Sequence, residues 1–279
     1  MTDNLILGIA IGMTASILLS VGKGVQKMKV QVLKQGAQML SAPHRRDFGI
    51  WLLGVVMTVS ASALYSVSLK FAGKSTIVAS LSGIGLVGLL LFAWLVLKER
   101  VGIREIAGSV LVIIGTGLIS YFNQPVEAGR QYDLHNFLYV CAALSLIFAA
   151  LALIGMKFIR LHGFAFALIA GSLIGMAMIL ADMALVKSKG DLFGQFSNPF
   201  VYLALLSGGG ALAITQVAFF KSTAVVVVPT INSFTILTPL VVEYFTFGIM
   251  LAPLQYFGVA LIIAGIIVLS TSPRQIFKN

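Results

Sequence analysis

Apolar runs of about 20 residues recur along nearly the whole chain, and each is long enough to cross a hydrocarbon core of roughly 30 Å. They lie near 5–21, 48–69, 77–97, 104–121, 137–156, 164–186, 200–220, 224–250 and 254–270. Taken as helices, they predict an all-α polytopic integral membrane protein of nine spans, with loops too short for an extramembrane domain. Composition agrees, since only 10% of residues are charged and 59% are hydrophobic, where soluble domains carry about 25% charged residues. A soluble enzyme is therefore excluded. The single cysteine, Cys141, sits inside an apolar run, which leaves no intramolecular disulfide and no cysteine-based metal site.

The 19 Lys and Arg against 9 Asp and Glu give a net charge of +10. In a chain this apolar, that excess reads as membrane topology rather than nucleic-acid binding, because cationic residues gather in cytoplasmic loops and meet anionic headgroups there. With nine spans and the N-terminus outside, Lys23, Lys27, Lys29, Lys34, Arg45, Arg46, Lys98, Arg100, Arg104, Lys157, Arg160, Lys221, Arg274 and Lys278 fall inside. Lys70, Lys74, Arg130, Lys187 and Lys189 fall outside. The bias places the C-terminus in the cytoplasm, in a cell (inner or plasma) membrane. Met1–Asn4 carries no basic stretch and no cleavage pattern follows, so 5–21 reads as a retained span.

Between the first two runs, Gly22–Asp47 mixes six cations with Val25, Met28, Val30, Val32, Leu33, Met39 and Leu40. Lysines at the bilayer centre cost a few kcal/mol each, about 2.5–3.5 on insertion scales, so an interfacial amphipathic helix is the expectation. A crossing at 24–43 would make ten spans and leave the C-terminus inside.

Sliding the chain by 150 residues sets Leu64–Ser120 over Ile214–Ser270 without a gap, with Gly108 on Gly258, Leu111 on Leu261 and Gly115 on Gly265. Glycines seven apart keep one helical face smooth for close packing. In the counted topology the two copies run in opposite directions, so the expected organisation is two inverted halves, 1–123 and 134–279, an arrangement associated with alternating access.

The end signature of the first half, Lys98-Glu99-Arg100 followed by Gly108, Leu111 and Gly115, resembles that of the drug/metabolite transporter superfamily, whose EamA-type halves end in acidic-Arg and then G-x-x-L-x-x-x-G. Gly258, Leu261 and Gly265 form a second copy that lacks the Glu-Arg pair. The basic stretch Gly22–Lys27 after the first span and the Val227-Val228-Pro229 turn are similar to those of the NIPA-type magnesium transporters. The resemblance implies a secondary transporter, with Mg²⁺ or another cation as the favoured solute.

Two carboxylates lie clearly within spans, Asp182 and Glu243. At 1.5 Å per residue each is roughly 7–12 Å from the outer end of its helix, so they share a depth. Facing one aqueous cavity, they would attract a partly hydrated Mg²⁺ or hold a coupling proton. The alternative for Asp182 is pairing with Lys187 at the wet interface. Pro229–Pro239 is the most polar stretch of any span, with Asn232 and Thr235 near the face of Glu243. Pro239 frees a carbonyl near Thr235 that must be satisfied by protein or water. Interhelical hydrogen bonding explains the hydroxyls equally well. Tyr65 is a candidate to close over a ligand or stack on an organic cation, or an interface anchor; Gln216 occupies the matching part of the second half.

The expectation is thus a non-enzymatic transporter using Glu243, Asp182, Asn232, Thr235, Gln216 and Tyr65, with no cofactor beyond a transported Mg²⁺ or coupling H⁺. Its partners are the lipid bilayer and a small solute or cation, not nucleic acid, and a homodimer is open. An organic metabolite or lipophilic cation is the alternative solute. A membrane scaffold is the alternative class, whereas a lipid enzyme would need clustered residues that the isolated His44, His135 and His162 do not supply.

Overall fold

The computed structural model describes residues 2–72, 82–99, 101–122, 133–158, 161–188, 194–248 and 250–271. Among the described residues there are α-helices and short 3-10 segments and no strand. The helices are α1 (Thr2–Lys29), α2 (Arg45–Ala72), α3 (Ser82–Leu95), α4 (Ile103–Tyr121), α5 (Leu134–Lys157), α6 (His162–Lys187), α7 (Pro199–Lys221), α8 (Ala224–Phe247) and α9 (Pro253–Ser270). Each of the nine apolar runs overlaps one of them, with 77–81 and 249 outside the described residues. Among the described residues, five stretches are long and apolar enough to cross a membrane, Ile6–Leu40, Leu134–Lys157, His162–Ala181, Pro199–Lys221 and Ala224–Thr246, and two shorter apolar helices, Ile84–Leu95 and Pro253–Leu269, accompany them.

By internal contacts the chain forms two compact units, one of Met1–Asn123, Phe219–Pro229 and Leu254–Asn279, the other of Gln124–Ala218 and Thr230–Pro253. In the first unit α1 packs most extensively on α2 and next on α3. Lipid is as apolar as leucine, so such contacts depend on close backbone approach and interhelical hydrogen bonds rather than on hydrophobic burial. The α1–α2 contact has both: Gly22 and Gly54 meet so closely that a Cβ on Gly54 would lie 2.8 Å from the Gly22 carbonyl oxygen. Gln26 Nε2 donates to the Gly54 carbonyl at 3.1 Å and to Thr58 Oγ1 at 2.8 Å. Ser68 Oγ donates to the Gly8 carbonyl at 2.7 Å, so the two helices run antiparallel. On α3, the Gly85 amide donates to Ser16 Oγ at 2.9 Å, and Phe92 covers Gly24.

This packing changes the reading of Gly22–Asp47. Its first part is no separate amphipathic helix: α1 continues unbroken to Lys29, with Gly22, Lys23, Gly24 and Gln26 buried. Two glycines and a glutamine that find partners on α2 and α3 make the longer helix favourable, whereas sequence hydropathy registers only the lysines. The 3-10 segment Val30–Leu40 follows, bent at Gly36 (φ 54°), with Val30 and Val32 buried and Lys34 exposed. Lys29 pairs with Asp47 at 2.7 Å across this arm.

The two copies of the glycine signature pack on each other. A Cβ on Gly108 would lie 2.9 Å from the Gly265 carbonyl oxygen and one on Gly265 2.7 Å from that of Gly108; the corresponding distances for Gly115 and Gly258 are 2.6 and 2.8 Å. Arg104 Nη1 donates to the Thr271 carbonyl at 3.0 Å at one end of the contact, and Gln255 Nε2 to the Ile119 carbonyl at 3.1 Å at the other. Helices α4 and α9 are therefore antiparallel.

In the second unit, Phe137, Met176, Ile179, Leu180, Met183 and Val242 form the core, with Cys141 and Phe200 against it. Gly171 and Gly175 on α6 admit the backbone of α8, Gly171 against the Ile231 carbonyl and Gly175 against Pro239. Ser207 Oγ of α7 donates to the Leu173 carbonyl of α6 at 2.8 Å.

The glycine contact yields a paired prediction. Gly115→Ala forces a methyl against backbone and is expected to destabilise by about 1–3 kcal/mol. Gly117→Ala, where a Cβ meets nothing within 4 Å, removes helix-interior glycine and is expected to be neutral or stabilising by up to about 1 kcal/mol. Thermal unfolding of both variants in detergent checks the contrast.

Candidate functional site

The chain places Glu243, Asn232 and Thr235 on α8, Asp182 on α6 and Gln216 on α7, all in the second unit, while Tyr65 belongs to α2 in the first. The side chains of Asp182 and Tyr65 lie outside the described residues. Glu243 and Asn232 are both half-buried, and each engages in interactions of its own. Among the described residues no group of three or more His, Cys, Asp or Glu side chains gathers as a metal site.

The hydroxyls around Glu243 serve helix packing. Thr235 Oγ1 donates to the Ile231 carbonyl at 2.9 Å and lies 3.4 Å from the Gly171 carbonyl of α6. Thr238 Oγ1 donates to Ser172 Oγ at 3.0 Å, with both residues buried. Gln216 is buried and its Nε2 reaches the Leu212 carbonyl one turn earlier at 3.3 Å. Pro239 stands within an unbroken α8, and the carbonyl its ring leaves unpaired, Thr235 O, lies 3.2 Å from where a Gly175 Cβ would be. At Thr235, Thr238 and Pro239, the most polar stretch of any span is thus a seam with α6.

A second polar cluster lies in the first unit and joins Lys27 of the basic stretch to Glu99 of the end signature. After α3 the chain turns back, the Glu99 amide donating to the Ala93 carbonyl at 3.0 Å, and Lys98 takes a left-handed conformation (φ 56°) that non-glycine residues adopt only under strain. Glu99 is thereby buried, 2% exposed. Its Oε1 accepts from the Ala224 amide at 3.0 Å and its Oε2 from the Val225 amide at 3.3 Å. These are the first amides of α8, which have no partner within the helix. Lys27 Nζ donates to the carbonyls of Phe219 and Ser222, the latter at 2.7 Å, in the last turn of α7 and just beyond it. Lys34 lies over the Phe220 ring, 5.2 Å from its centre. The turn between α7 and α8 is consequently met by an acid at the amide end and an ammonium at the carbonyl end, the pairing that helix dipoles favour.

Burial pushes the Glu99 carboxyl above the usual carboxylate range; the Ala224 amide, the Lys27 charge and the Val225 amide act in the opposite direction without cancelling it. The acid that meets these amides comes from 125 positions away in the chain, so no signal local to α8 marks it.

No known protein family, curated protein or solved structure matches this chain.

The Glu99 shift gives a pH prediction with a definite sign. A carboxyl whose folded-state pKa is raised contributes stability that is complete below its unfolded value, near 4.5, and is lost as pH rises through the raised value. Thermal unfolding in detergent from pH 4 upward is expected to show this decline in the wild type, and Glu99→Gln is expected to lack that component.

Proposed function

We propose that this protein is a secondary transporter resembling the drug/metabolite transporter superfamily, and within it the NIPA-type magnesium transporters, that moves Mg²⁺ or another cation by alternating access. The reading takes the nine apolar runs as spans in two inverted halves of a cell (inner or plasma) membrane, with a cytoplasmic C-terminus. The observation that carries it is Glu243, a half-buried carboxylate within the apolar stretch Ala224–Thr246 of α8. Ionisable groups at membrane depth are costly and are retained at ion and substrate pathways. The antiparallel contact of α4 with α9 supports the inverted arrangement, since the two copies of one sequence signature meet head to tail.

In this reading Glu243 supplies the charge that draws a cation, which keeps part of its hydration shell, into the membrane, with Asp182 as the second acid and Asn232 as a neutral oxygen donor. Gln216 and Tyr65 are its further contacts. Alternating exposure of that charge to the two sides then moves the ion without ATP hydrolysis by this chain.

Saturating Mg²⁺ at 100 times its dissociation constant is expected to stabilise the purified protein by about 2.7 kcal/mol, beyond NaCl at equal ionic strength. Glu243→Gln is expected to remove that stabilisation and Mg²⁺ flux into proteoliposomes while remaining folded and monodisperse. Stabilisation by organic cations or metabolites alone would assign the site to an organic solute. Unchanged flux in the variant would remove Glu243 from the mechanism, and wild-type protein that moves neither class of solute would favour a scaffold.

A further inference from the structure

The turn from α7 to α8 is held by two side chains remote from it in sequence. Phe219–Pro229 belongs to the first unit, while the rest of α7 and α8, Pro199–Ala218 and Thr230–Phe247, belongs to the second. Within the first unit, Phe219, Ala224, Val225, Val227 and Val228 of this tip are buried, and the hydrogen bonds of Lys27 and Glu99 add polar grips at its two ends. The hydrogen-bonding groups available there are the unpaired ends of two helices: carbonyls at the end of α7 and amides at the start of α8.

We propose that Lys27 and Glu99 form a two-ended clasp, an ammonium donating to the Phe219 and Ser222 carbonyls and a carboxyl accepting from the Ala224 and Val225 amides, whose opening releases the turn as a discrete conformational step. Three observations support it. Both grips fall on the same seven residues, Phe219–Val225, from different elements, α1 and the α3–α4 loop. Each gripping group matches the helix end it meets, so neither could be exchanged for the other. The strained backbone at Lys98 sits next to Glu99, and strain of this kind persists where surrounding contacts over-determine it. Opening would replace four protein hydrogen bonds by bonds to water and relieve the Lys98 conformation, so the released state is accessible without unfolding a helix. Lys27 and Glu99 act here as positioning residues for the first turn of α8. The inference concerns the seating of this turn and does not rest on the transport reading.

The test is cysteine accessibility in the full-length protein in detergent. Ser222→Cys is introduced with Cys141→Ser, and the rate of maleimide labelling is measured. Ser172→Cys, at a buried position of the second unit, reports in parallel that the protein stays folded. Slow labelling at 222 is expected with Lys27 and Glu99 intact. Glu99→Ala orphans two buried amides and Lys27→Met removes the donor to two carbonyls, and each is expected to speed labelling by about tenfold or more. Glu99→Gln retains an acceptor oxygen and is expected to stay within about twofold of wild type, since most of one capping bond survives. The reversed pair Lys27→Glu with Glu99→Lys sets a donor against amides and an acceptor against carbonyls, and is expected to label as fast as Glu99→Ala. Unchanged labelling in both single variants, with position 172 still protected, would overturn the clasp. So would slow labelling in the reversed pair, which would mean that attraction between the two side chains alone holds the turn. Lys27→Met tests the carbonyl end even if Glu99→Ala does not fold.

Discussion

The close passage of one helix backbone over another is the contact on which this architecture depends. Surrounded by lipid, a leucine gains nothing by exchanging a lipid neighbour for a protein one, so helices associate where their backbones can approach and bond. Here such passages occur at Gly22 and Gly54 between α1 and α2, at Gly108, Gly115, Gly258 and Gly265 between α4 and α9, and at Gly171 and Gly175 between α6 and α8. Each has a polar partner close by: Gln26 on the Gly54 carbonyl, Gln255 on the Ile119 carbonyl, and Thr238 on Ser172. Missing side chains and buried amide or hydroxyl bonds thus work together. The first set the distance between axes and the second resist sliding along the contact.

Much of this was legible in the chain because its determinants are local. Apolar runs locate the nine described helices, and the seven-residue glycine spacing marks a face suited to close packing on two of them. The part that was not legible is nonlocal. Lys27 reads as one cation in a basic arm, and only a turn of chain near residue 220 makes it a helix cap. Glu99 reads as part of an end signature, and its burial follows from the left-handed residue before it, which Lys98 gives no reason to expect. The extension of α1 to Lys29 has the same origin, since the partners that make it favourable lie on α2 and α3.

The polar stretch of α8 shows that residue type alone does not separate structure from chemistry in a membrane. Thr235, Thr238 and Pro239 are matched to α6 by a glycine pair and a serine, so their polarity has a structural account. Glu243 lies on the same helix one turn beyond Pro239, and a seam between two helices needs no carboxylate. What separates Glu243 from these hydroxyls is that it is ionisable, and a carboxylate within an apolar stretch is costly where a hydroxyl is not.

The α7–α8 turn also bears on how the molecule is assembled during synthesis. The carboxyl of Glu99 is made 125 residues before the amide of Ala224 that it meets, and Lys27 precedes the Ser222 carbonyl by 195. At about 5–20 residues per second, Glu99 waits on the order of ten seconds for its partner. Helix α4 likewise waits for α9 to emerge before its glycine face is covered. The unit that begins with the first residues of the chain is therefore the later one to close, and its exposed lysine, acid and glycine face must be held by water, headgroups or translocation machinery until the last helix arrives.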